Sequence, residues 1–474
     1  MIASTSILVA LAALQAFAGS AAPSNRDAAH LVQAEIEALR AEIEAYRSTQ
    51  VGWLDGARRS DLRAVVQDML ADSATRSSFQ DDAAIAGWRS GFHLGSPDGQ
   101  FLLKVGGQVQ VRFVLNRAKK GGERMLGGTL VPGNDRTYAW GWENRRTELI
   151  FSGHVVDPSW TYRVKGAYNR LKSGRFLLEE AWVAKSLGDG WKVKVGQFKP
   201  PWLRESLVSS SKQLTADRSL VNAYFSQGYS QGVGLSWQGE DVRVSTWTGD
   251  GIGARNLGPA RSNGRATAWD ETPTTYSFAS RGEWRMAGDW SQFKNFNSPR
   301  GSAFGAMIGV AGTVQRANQN LGDRDGQNLG DRDGTISGGV TADLTLAFDG
   351  ASFFMSGIWT SVQAGAGKGG SNRPWGVTVQ GGYFVAEDVE IFGRWECMNF
   401  DLDAQASARA GRFDGFTVGG NWFFNPAVKF TLDWSINFDS LSTGAFVSNG
   451  VGFRVDAPGK TNQWAMRAQL QLLF

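Results

Sequence analysis

The chain ends on Asn462-Gln-Trp-Ala-Met-Arg-Ala-Gln-Leu-Gln-Leu-Leu-Phe474. Every second position of this stretch from Trp464 onward is apolar, and polar residues such as Gln463 and Arg467 stand between them. Alternation with a period of two residues indicates a β-strand with one apolar face and one polar face. The stretch therefore predicts a strand that separates an apolar environment from a polar one.

The same alternation recurs from about residue 92 to the end of the chain, in stretches of roughly ten to fifteen residues. One face of a typical stretch carries Phe430, Leu432, Trp434, Ile436 and Phe438. The opposite face carries Lys429, Thr431, Asp433, Ser435 and Asn437. A soluble β-sandwich would alternate in the same way, so the period alone leaves soluble and membrane sheets open.

Three further features favour a barrel that spans a membrane. The apolar positions near the strand ends are rich in Trp, Phe and Tyr, as interfacial girdles require. The last strand ends the chain on an aromatic residue, and tight turns such as Asp349-Gly350 alternate with long polar loops. The long loops lie near residues 117–136, 200–226, 251–273, 318–333, 364–373, 402–410 and 441–460. One connection, from Met286 to Ser302, should be short by this alternation and is not.

The predicted fold class is an all-β membrane protein, an antiparallel transmembrane β-barrel of about 16 strands preceded by a short α-helical coiled-coil segment. With an even number of strands, the start of the first strand and the end of the last strand both lie on the short-turn side of the barrel. Closure also removes the sheet edges that would otherwise be exposed.

One segment inside the predicted barrel region departs from the alternation. It begins Val195-Gly-Gln-Phe-Lys-Pro-Pro-Trp and continues to about Gly232. Proline has no amide hydrogen for a β-ladder, so the two prolines end the preceding strand. A connection of about thirty residues in a compact domain is usually functional or disordered, and this one is too apolar for disorder. We therefore expect it to pack against the inner wall of the barrel.

The N-terminal region has a different composition. Residues 1–22 resemble a secretory signal peptide, and residues 23–72 are predicted to form a periplasmic helical or coiled-coil segment. A heptad seam carries this second prediction: Val32, Ile36, Leu39, Ile43 and Tyr46. A helix that packs on its own protein remains the alternative. Residues 73–91 are predicted to be a linker, and residues 92–474 the barrel.

Composition argues against several classes of site. The single cysteine, Cys397, excludes an internal disulfide and a cysteine-based zinc site. The three histidines lie far apart, and the run Ser209-Ser-Ser211 has no histidine nearby, so we expect no catalytic residues, metal or cofactor. The formal net charge of +4 favours anions modestly and does not indicate nucleic acid.

Four motifs give the sequence a resemblance to a known family. They are Arg145-Arg-Thr-Glu-Leu-Ile-Phe-Ser-Gly-His, Gly196-Gln-Phe-Lys-Pro-Pro-Trp, Leu207-Val-Ser-Ser-Ser-Lys-Gln-Leu and Asp217-Arg-Ser-Leu-Val-Asn. On these motifs, residues 92–474 resemble the phosphate-selective porins O and P. The resemblance implies a sixteen-stranded homotrimeric barrel in the outer membrane, with a third long loop folded into the lumen as a constriction.

Candidate residues follow from the resemblance and from the strand alternation. The segment at residues 200–226 is the third long loop if the turn at residues 170–174 counts as the second. The candidates at the pore constriction, for binding solute, are Lys199, Arg204, Lys212, Arg218, Ser209, Ser210 and Ser211. The candidates for a basic lumen lining are Lys104, Arg112, Arg163, Lys165, Lys192, Lys194 and Arg243.

Neighbouring acids leave the charge of the lumen open. The carboxyl groups expected to point inward are Glu148, Glu179 or Glu180, Glu283, Glu390, Glu396 and Asp433. In the long loop, Glu205 and Asp217 adjoin Arg204 and Arg218, so these pairs could instead be salt bridges that hold the loop's shape.

The function predicted is a porin for passive diffusion of small hydrophilic solutes, with a preference for anions such as phosphate. The expected partners are outer-membrane lipid, two further copies of the chain and, through the helical segment, peptidoglycan. The alternative is a structural tether between outer membrane and cell wall whose barrel conducts little. An enzyme is disfavoured because a hydrolytic barrel would need a Ser/His/Asp set at one rim.

Overall fold

A computed structural model describes most of the C-terminal part of the chain. The described residues are 37, 40–41, 85–88, 91–119, 124–126, 129–131, 137–168, 174, 176–251, 274–317, 336–363, 371–399, 412–439, 451–453 and 462–474. The chain divides into two units, Met1–Ala83 and Ala84–Phe474. In the first unit, Glu37, Arg40 and Ala41 are helical and exposed. The predicted signal peptide, the rest of the coiled-coil segment and most of the linker lie outside the described residues.

Sixteen antiparallel strands form a closed barrel, which confirms the predicted transmembrane β-barrel. The strands are β1 (Leu102–Arg117), β2 (Tyr138–Val155), β3 (Asp157–Tyr168), β4 (Phe176–Gly188), β5 (Trp191–Phe198), β6 (Ser230–Gln238), β7 (Val242–Gly249), β8 (Thr274–Ala287), β9 (Gly305–Ala317), β10 (Ile336–Phe348), β11 (Ala351–Gln363), β12 (Trp375–Phe384), β13 (Val389–Asn399), β14 (Arg412–Asn425), β15 (Val428–Asn437) and β16 (Gln463–Leu473). Strand β16 pairs with β1, with Trp464 opposite Arg117 and Leu472 opposite Val109.

Five short strands add to the barrel. Ile85–Trp88 and Phe92–Gly95 form a hairpin, and its second strand pairs with the start of β1. Arg124–Leu126 pairs with Thr129–Val131 in a separate hairpin, and Ser371–Asn372 pairs with the end of β11. The last residue, Phe474, closes the seam through backbone hydrogen bonds to Gly107, at 3.1 Å through its N–H and 2.8 Å through its carbonyl.

The alternation of the strands places polar side chains inside and apolar side chains outside. On β15, Asp433 is 1% exposed and points into the barrel, whereas its neighbour Leu432 is 44% exposed on the outer surface. A soluble sheet would bury the leucine, whereas a barrel in lipid exposes it to the acyl chains. Among the described residues, no helix is long and apolar enough to cross a membrane.

The connections are short at one rim of the barrel and long at the other. Two residues, Asp349 and Gly350, join β10 to β11, whereas 24 residues, 250–273, join β7 to β8. The connection from β3 to β4 lies on the long-loop rim, so the connection from β5 to β6 is the third on that rim. The exceptional connection, between β8 and β9, contains the 3₁₀ turn Gln292–Lys294.

Candidate pore constriction

The connection from β5 to β6, residues 199–229, folds into the barrel and is called the constriction loop here. It contains two short helices, α1 (Arg204–Leu207) and α2 (Leu220–Phe225), and the 3₁₀ turn Ser210–Lys212. Its apolar side chains, including Trp202 and Leu214, are buried against the barrel wall. The expectation that this segment packs on the inner wall agrees with these contacts.

Local sequence explains the shape of the loop. Pro200 and Pro201 follow β5 directly and cannot continue its ladder. The hydroxyl of Ser219 accepts a hydrogen bond from the N–H of Asn222 at 2.9 Å and thereby caps α2. The hydroxyl of Ser209 caps the 3₁₀ turn in the same way, by accepting from the N–H of Ser211.

The tip of the loop is anchored by a cluster of arginines. The carboxylate of Asp217 pairs with Arg112 on β1 and, at 2.8 and 3.2 Å, with Arg145 and Arg146 on β2. Burial alone would raise the pKa of Asp217, but the three guanidinium groups hold it well below its ordinary value. Asp217 is therefore a buried, ionised anchor.

A β-bulge explains how two adjacent arginines reach one carboxylate. Gln110 on β1 lies opposite Arg146, whereas the next residue, Val111, lies opposite Asn144. Arg145 is the extra residue on β2 between these pairs. A bulge re-aims the side chain of the extra residue, so Arg145 and Arg146 both point into the lumen. Regular alternation would have sent one of them to the lipid.

Strands β13–β15 also hold the backbone of the tip. Each contact is a hydrogen bond between a wall side chain and a main-chain group of the loop, so the path of the loop is fixed to these strands as well as to β1 and β2. The contacts are Lys429 Nζ to Gln213 O (3.0 Å), Asn421 Nδ2 to Leu214 O (2.9 Å), Ala216 N to Asp433 Oδ2 (3.0 Å), Arg394 Nη1 to Asp217 O (2.8 Å) and Val221 N to Glu396 Oε2 (3.3 Å).

The loop's own acids do not pair with their sequence neighbours. Glu205 accepts hydrogen bonds from the N–H and the hydroxyl of Ser219, at 2.7 and 2.5 Å. Arg218 donates to the main-chain oxygens of Glu205 and Val208, at 2.9 and 2.7 Å. The alternative that Arg204–Glu205 and Arg218–Asp217 are salt bridges is therefore corrected: both acids hold the loop's shape, but through other partners.

The connection between β8 and β9, residues 288–304, also turns into the barrel and is called the in-turned segment. Its Phe293 and Phe296 are buried, and the ring of Phe296 lies 4.7 Å from that of Phe354 on β11. The N–H of Phe296 donates to the carbonyl of Lys212 in the constriction loop at 3.2 Å. The in-turned segment therefore supports the constriction loop from the short-turn side.

Arg204, predicted to contact solute, joins these two segments instead. Its guanidinium donates to the carbonyl of Phe293 and lies 6.0 Å from the ring centre of Phe296. Burial, together with the nearby Arg281 and Arg243, lowers its pKa to about 10 despite the acids Glu283 and Asp343. Arg204 is therefore a buried residue that links the constriction loop to the in-turned segment.

A third segment packs into the lumen from the long-loop rim. Val451 and Phe453 are buried in one apolar cluster with Val221 and Phe225 of the constriction loop. Arg467 on β16 donates to the carbonyl of Val451 at 2.8 Å. The side of the barrel formed by β8–β16 is thus filled with packed protein.

The remaining space lies along β3–β5. The side chain of Arg163 on β3 is 32% exposed, whereas that of Arg394 on the filled side is 3% exposed. Inward positions on this side carry Arg163 and Lys165 on β3 and Lys192 and Lys194 on β5, which together are called the basic wall. All four were predicted from the strand alternation.

The contacts of the basic wall leave part of its charge unneutralised. Lys165 pairs with Glu148 and Glu179 at 2.7 and 2.8 Å, and Arg163 pairs with Glu180 at 2.9 Å. The ammonium of Lys194 lies over aromatic rings, 4.6 Å from the ring centre of Trp182 and 4.8 Å from that of Phe198. Lys194 thus contacts aromatic rings and forms no ion pair among the described residues.

Two basic residues of the constriction loop lie near this wall. Lys199 donates to the carbonyl of Ser206 at 2.6 Å and lies over the ring of Tyr229 at 5.2 Å. Burial, followed by the charges of Arg218 and Lys165, holds the pKa of Lys199 well below its ordinary value. The ammonium groups of Lys165 and Lys199 lie 6.0 and 5.2 Å from the ring centre of Tyr229, so these two lysines share one region of the lumen.

The other predicted residues have varied surroundings. Arg112 is fully buried in the Asp217 cluster, and Arg243 pairs with Glu283 and stacks on Trp290 at 4.4 Å. Lys104 and Lys212 are exposed. Among the serines, Ser209 and Ser211 share a hydrogen bond at 3.0 Å and Ser210 accepts one from Gln108 at 2.8 Å.

Sequence reasoning missed several charged residues at the constriction. Their common feature is an inward position on a strand of the filled side or on the bulged strand. They are Arg145, Arg146, Arg281, Arg394, Lys429 and Arg467. Strand alternation placed Lys429 and Arg467 on polar faces and could also have found Arg281 and Arg394, whereas the bulge hid the pair at 145–146.

The described residues give no sign of a metal centre. No group of three or more His, Cys, Asp or Glu residues among them is arranged to hold a metal ion. The acids in the lumen are engaged by arginines, by Lys165, by asparagine side chains or by loop N–H groups. The arrangement can therefore select solutes by charge and width.

Comparisons with known proteins agree with this geometry. A family model described as phosphate-selective porin O and P matches residues 133–471. The anion-selective porin from Comamonas acidovorans superimposes with a TM-score of 0.51 at 12% identity, over 78% of this chain and 99% of that chain. The channel DcaP of Acinetobacter baumannii gives 0.49 at 11% identity, over 82% and 100%. No curated protein sequence matches the chain. At such identity the Comamonas structure shows a shared fold alone.

Proposed function

Since this chain belongs to the phosphate-selective porin O and P family and is an outer-membrane porin, we propose that its channel favours small anions. The observation that carries the proposal is the basic wall. Arg163, Lys165, Lys192 and Lys194 line the side of the lumen that the constriction loop leaves free. An ion that passes the loop must pass along this wall.

The acids of the filled side do not offset the basic wall. Asp433 pairs with Arg467 at 2.6 Å, and Asp343 pairs with Arg281 at 2.8 Å. These side chains are buried, and their charges are compensated locally. The field that a passing solute meets is therefore set by the half-buried members of the basic wall, Arg163, Lys192 and Lys194, and by Arg218 of the loop.

Phosphate is proposed as one permeant among several small anions. An arginine fork suits phosphate because its N–H groups match two phosphate oxygens. Arg163 is the exposed arginine of the basic wall, and its Nε already faces Glu180 at 2.9 Å. Because Glu180 already occupies one edge of this guanidinium, we expect phosphate to contact it only transiently, as passage through a channel requires.

Planar-bilayer recording of the purified protein in a KCl gradient tests the preference. We expect the sign of the reversal potential to show that chloride is more permeant than potassium. A reversal potential of the opposite sign would overturn the proposal. Added phosphate then distinguishes two forms of the proposal. Block of the chloride current by a low concentration of phosphate indicates a phosphate-binding site. An additional current carried by phosphate, without block, indicates general passage of anions.

The proposed assembly is a homotrimer in the outer membrane, as the family resemblance implies. The segment at residues 23–72 is proposed to lie in the periplasm, where three copies held close by their barrels would associate as a coiled coil. Contact with peptidoglycan is proposed for the same segment. Co-sedimentation with cell wall should be lost when residues 27–70 are deleted, and unchanged sedimentation would contradict it.

A further inference from the structure

A strip of polar side chains lies behind the constriction loop on three neighbouring strands. Its members face the interior on β10, β11 and β12, and they are called the polar strip: Thr341, Asp343, Thr345, Ser356, Thr378 and Gln380. The register puts them on successive levels. Asp343 lies opposite Ser356, which lies opposite Thr378, and on the next level Thr345 and Gln380 flank Phe354.

Two small cavities, each of about 10 Å³, lie against this strip. The first separates Thr345 and Gln380 from the in-turned segment. The second separates Thr341, Ser356 and Thr378 from helices α1 and α2. Both are about large enough for a water molecule. They are two residues apart along the strands, or about 7 Å.

The polar atoms along the strip need such waters. Four side-chain atoms that line the first cavity have no hydrogen-bond partner among the described residues: Asn295 Oδ1, Thr345 Oγ1, Ser352 Oγ and Gln380 Nε2. Asn222 Oδ1 at the second cavity and Asp343 Oδ2 between the two are also unpartnered there. Buried polar groups are almost always hydrogen-bonded, to protein or to ordered water.

The strip ends at an apolar contact towards the long-loop rim. Ile358 on β11 lies opposite Gly376 on β12. A Cβ at Gly376 would come within 2.8 Å of Val221 and 3.0 Å of Phe225, so α2 rests directly on the wall here. Ile358, Val221 and Phe225 belong to one buried apolar cluster. Water on the strip is therefore blocked at this level.

We propose that the constriction loop divides the barrel into two conduits. One is the open path along the basic wall, and the other is a narrow file of water along the polar strip, sealed by Ile358 and Val221. With the seal intact the file holds water and passes no solute. With the seal removed it passes small ions of either sign, because Arg281 compensates Asp343, the acid of the strip, and the strip itself carries no lysine or arginine.

Hydroxyl-radical footprinting of the intact porin tests the hydration. Radiolysis of bound water modifies neighbouring side chains, and three phenylalanines of equal intrinsic reactivity give a matched comparison. Phe354 and Phe296 line the first cavity, whereas Phe413 lies in the apolar cluster, and all are at most 3% exposed. We expect Phe354 and Phe296 to be modified at least fivefold faster than Phe413. Equal protection of the three would overturn the water file.

A pair of substitutions tests the seal. Ile358 and Val451 are each 6% exposed and belong to the same cluster, but Val451 lies away from the strip, in the connection to β16. Ile358→Ser should add a current that does not distinguish anions from cations, while Val451→Ser should add none. The added current is measured against the unmodified channel, so the result does not depend on that channel's own preference. Equal added currents in the two variants, or no added current in a folded Ile358→Ser barrel, would refute the seal.

Discussion

Arg145 donates from Nε to Oδ1 of Asp217 at 2.9 Å, so a residue of strand β2 holds the tip of a loop that begins after strand β5. The contact exists because the β-bulge turns Arg145 inward beside Arg146. With Arg112, three guanidinium groups surround one carboxylate. The constriction is therefore set by the pairing register of β1 and β2 as well as by the loop itself.

Substitution Asp217→Asn should release the tip of the loop. It leaves three buried guanidinium groups without their shared carboxylate, and breaking a buried pair costs about 3–5 kcal/mol. We expect the barrel to remain folded, since its strands do not depend on this contact. Single-channel records should show rapid fluctuations between conductance levels for this variant and a single level for the unmodified channel.

An exposed aspartate provides the matched control. Asp241 pairs with Arg285 at 2.8 Å in a turn, and its side chain is 58% exposed. Exposed ion pairs contribute about 0–1 kcal/mol. Asp241→Asn should therefore leave the conductance steady. A steady channel with Asp217→Asn would show that the backbone contacts alone hold the loop.

The strands, their number and the in-folded loop could be predicted from the sequence because each rests on a local pattern. Alternation marks β15 and β16, and the pair Pro200-Pro201 marks where β5 ends. The lumen-facing positions of Lys192 and Lys194 follow from the same period. These features depend only on neighbours in the chain.

The partners of the charged residues could not be predicted, because they depend on register and on long-range packing. The bulge at Arg145 adds one residue to one strand, and no composition cue marks it. Arg204 lies next to Glu205 in sequence yet contacts Phe293. The in-turned segment was noticed only as an exception to the turn pattern, since its burial depends on a wall formed by distant strands.

The anchoring of the tip should be insensitive to pH over the physiological range. The pKa of Asp217 lies well below its ordinary value of about 3.9 in the folded protein. A carboxyl with a lowered pKa contributes stability that is complete above the ordinary value and is lost as the pH falls through the lowered one. Channel fluctuations should therefore stay constant from pH 7 to about 5 and increase only below about 4.

The substitution Asp217→Asn gives the control for this pH dependence. Its fluctuations should be large at every pH, because the group that titrates is gone. An increase in fluctuations of the unmodified channel already at pH 6 would assign the anchor to a different titrating group.

Removal of one lysine from the basic wall should weaken the anion preference. Lys194 faces the free side of the lumen, over Trp182 and Phe198. A unit charge about 4 Å from a passing ion in water is worth about 1 kcal/mol. Lys194→Gln should therefore lower the ratio of anion to cation permeability about three- to fivefold in 0.1 M salt. The effect should largely disappear at 1 M salt, where charges are screened within about 3 Å.

A lysine outside the lumen provides the control. Lys185 on β4 lies over Trp160 at 4.8 Å and pairs with Asp157 at 3.6 Å near the short-turn rim. Lys185→Gln removes the same charge from the protein and should leave the permeability ratio unchanged. Equal effects of the two substitutions would mean that net charge, and not the basic wall, sets the preference.

A glycine on β12 determines how closely the constriction loop approaches the wall. A Cβ at Gly376 would lie 2.8 Å from Val221 and 3.0 Å from Phe225, so Gly376→Val must push α2 away from the wall. Overpacking of this kind costs about 1–3 kcal/mol. Because α2 moves towards the free side of the lumen, the single-channel conductance should fall.

Gly393 on the neighbouring strand β13 is the control, since a Cβ there meets nothing within 4 Å. Gly393→Val should conduct normally, and a normal conductance with Gly376→Val as well would show that α2 does not border the pore.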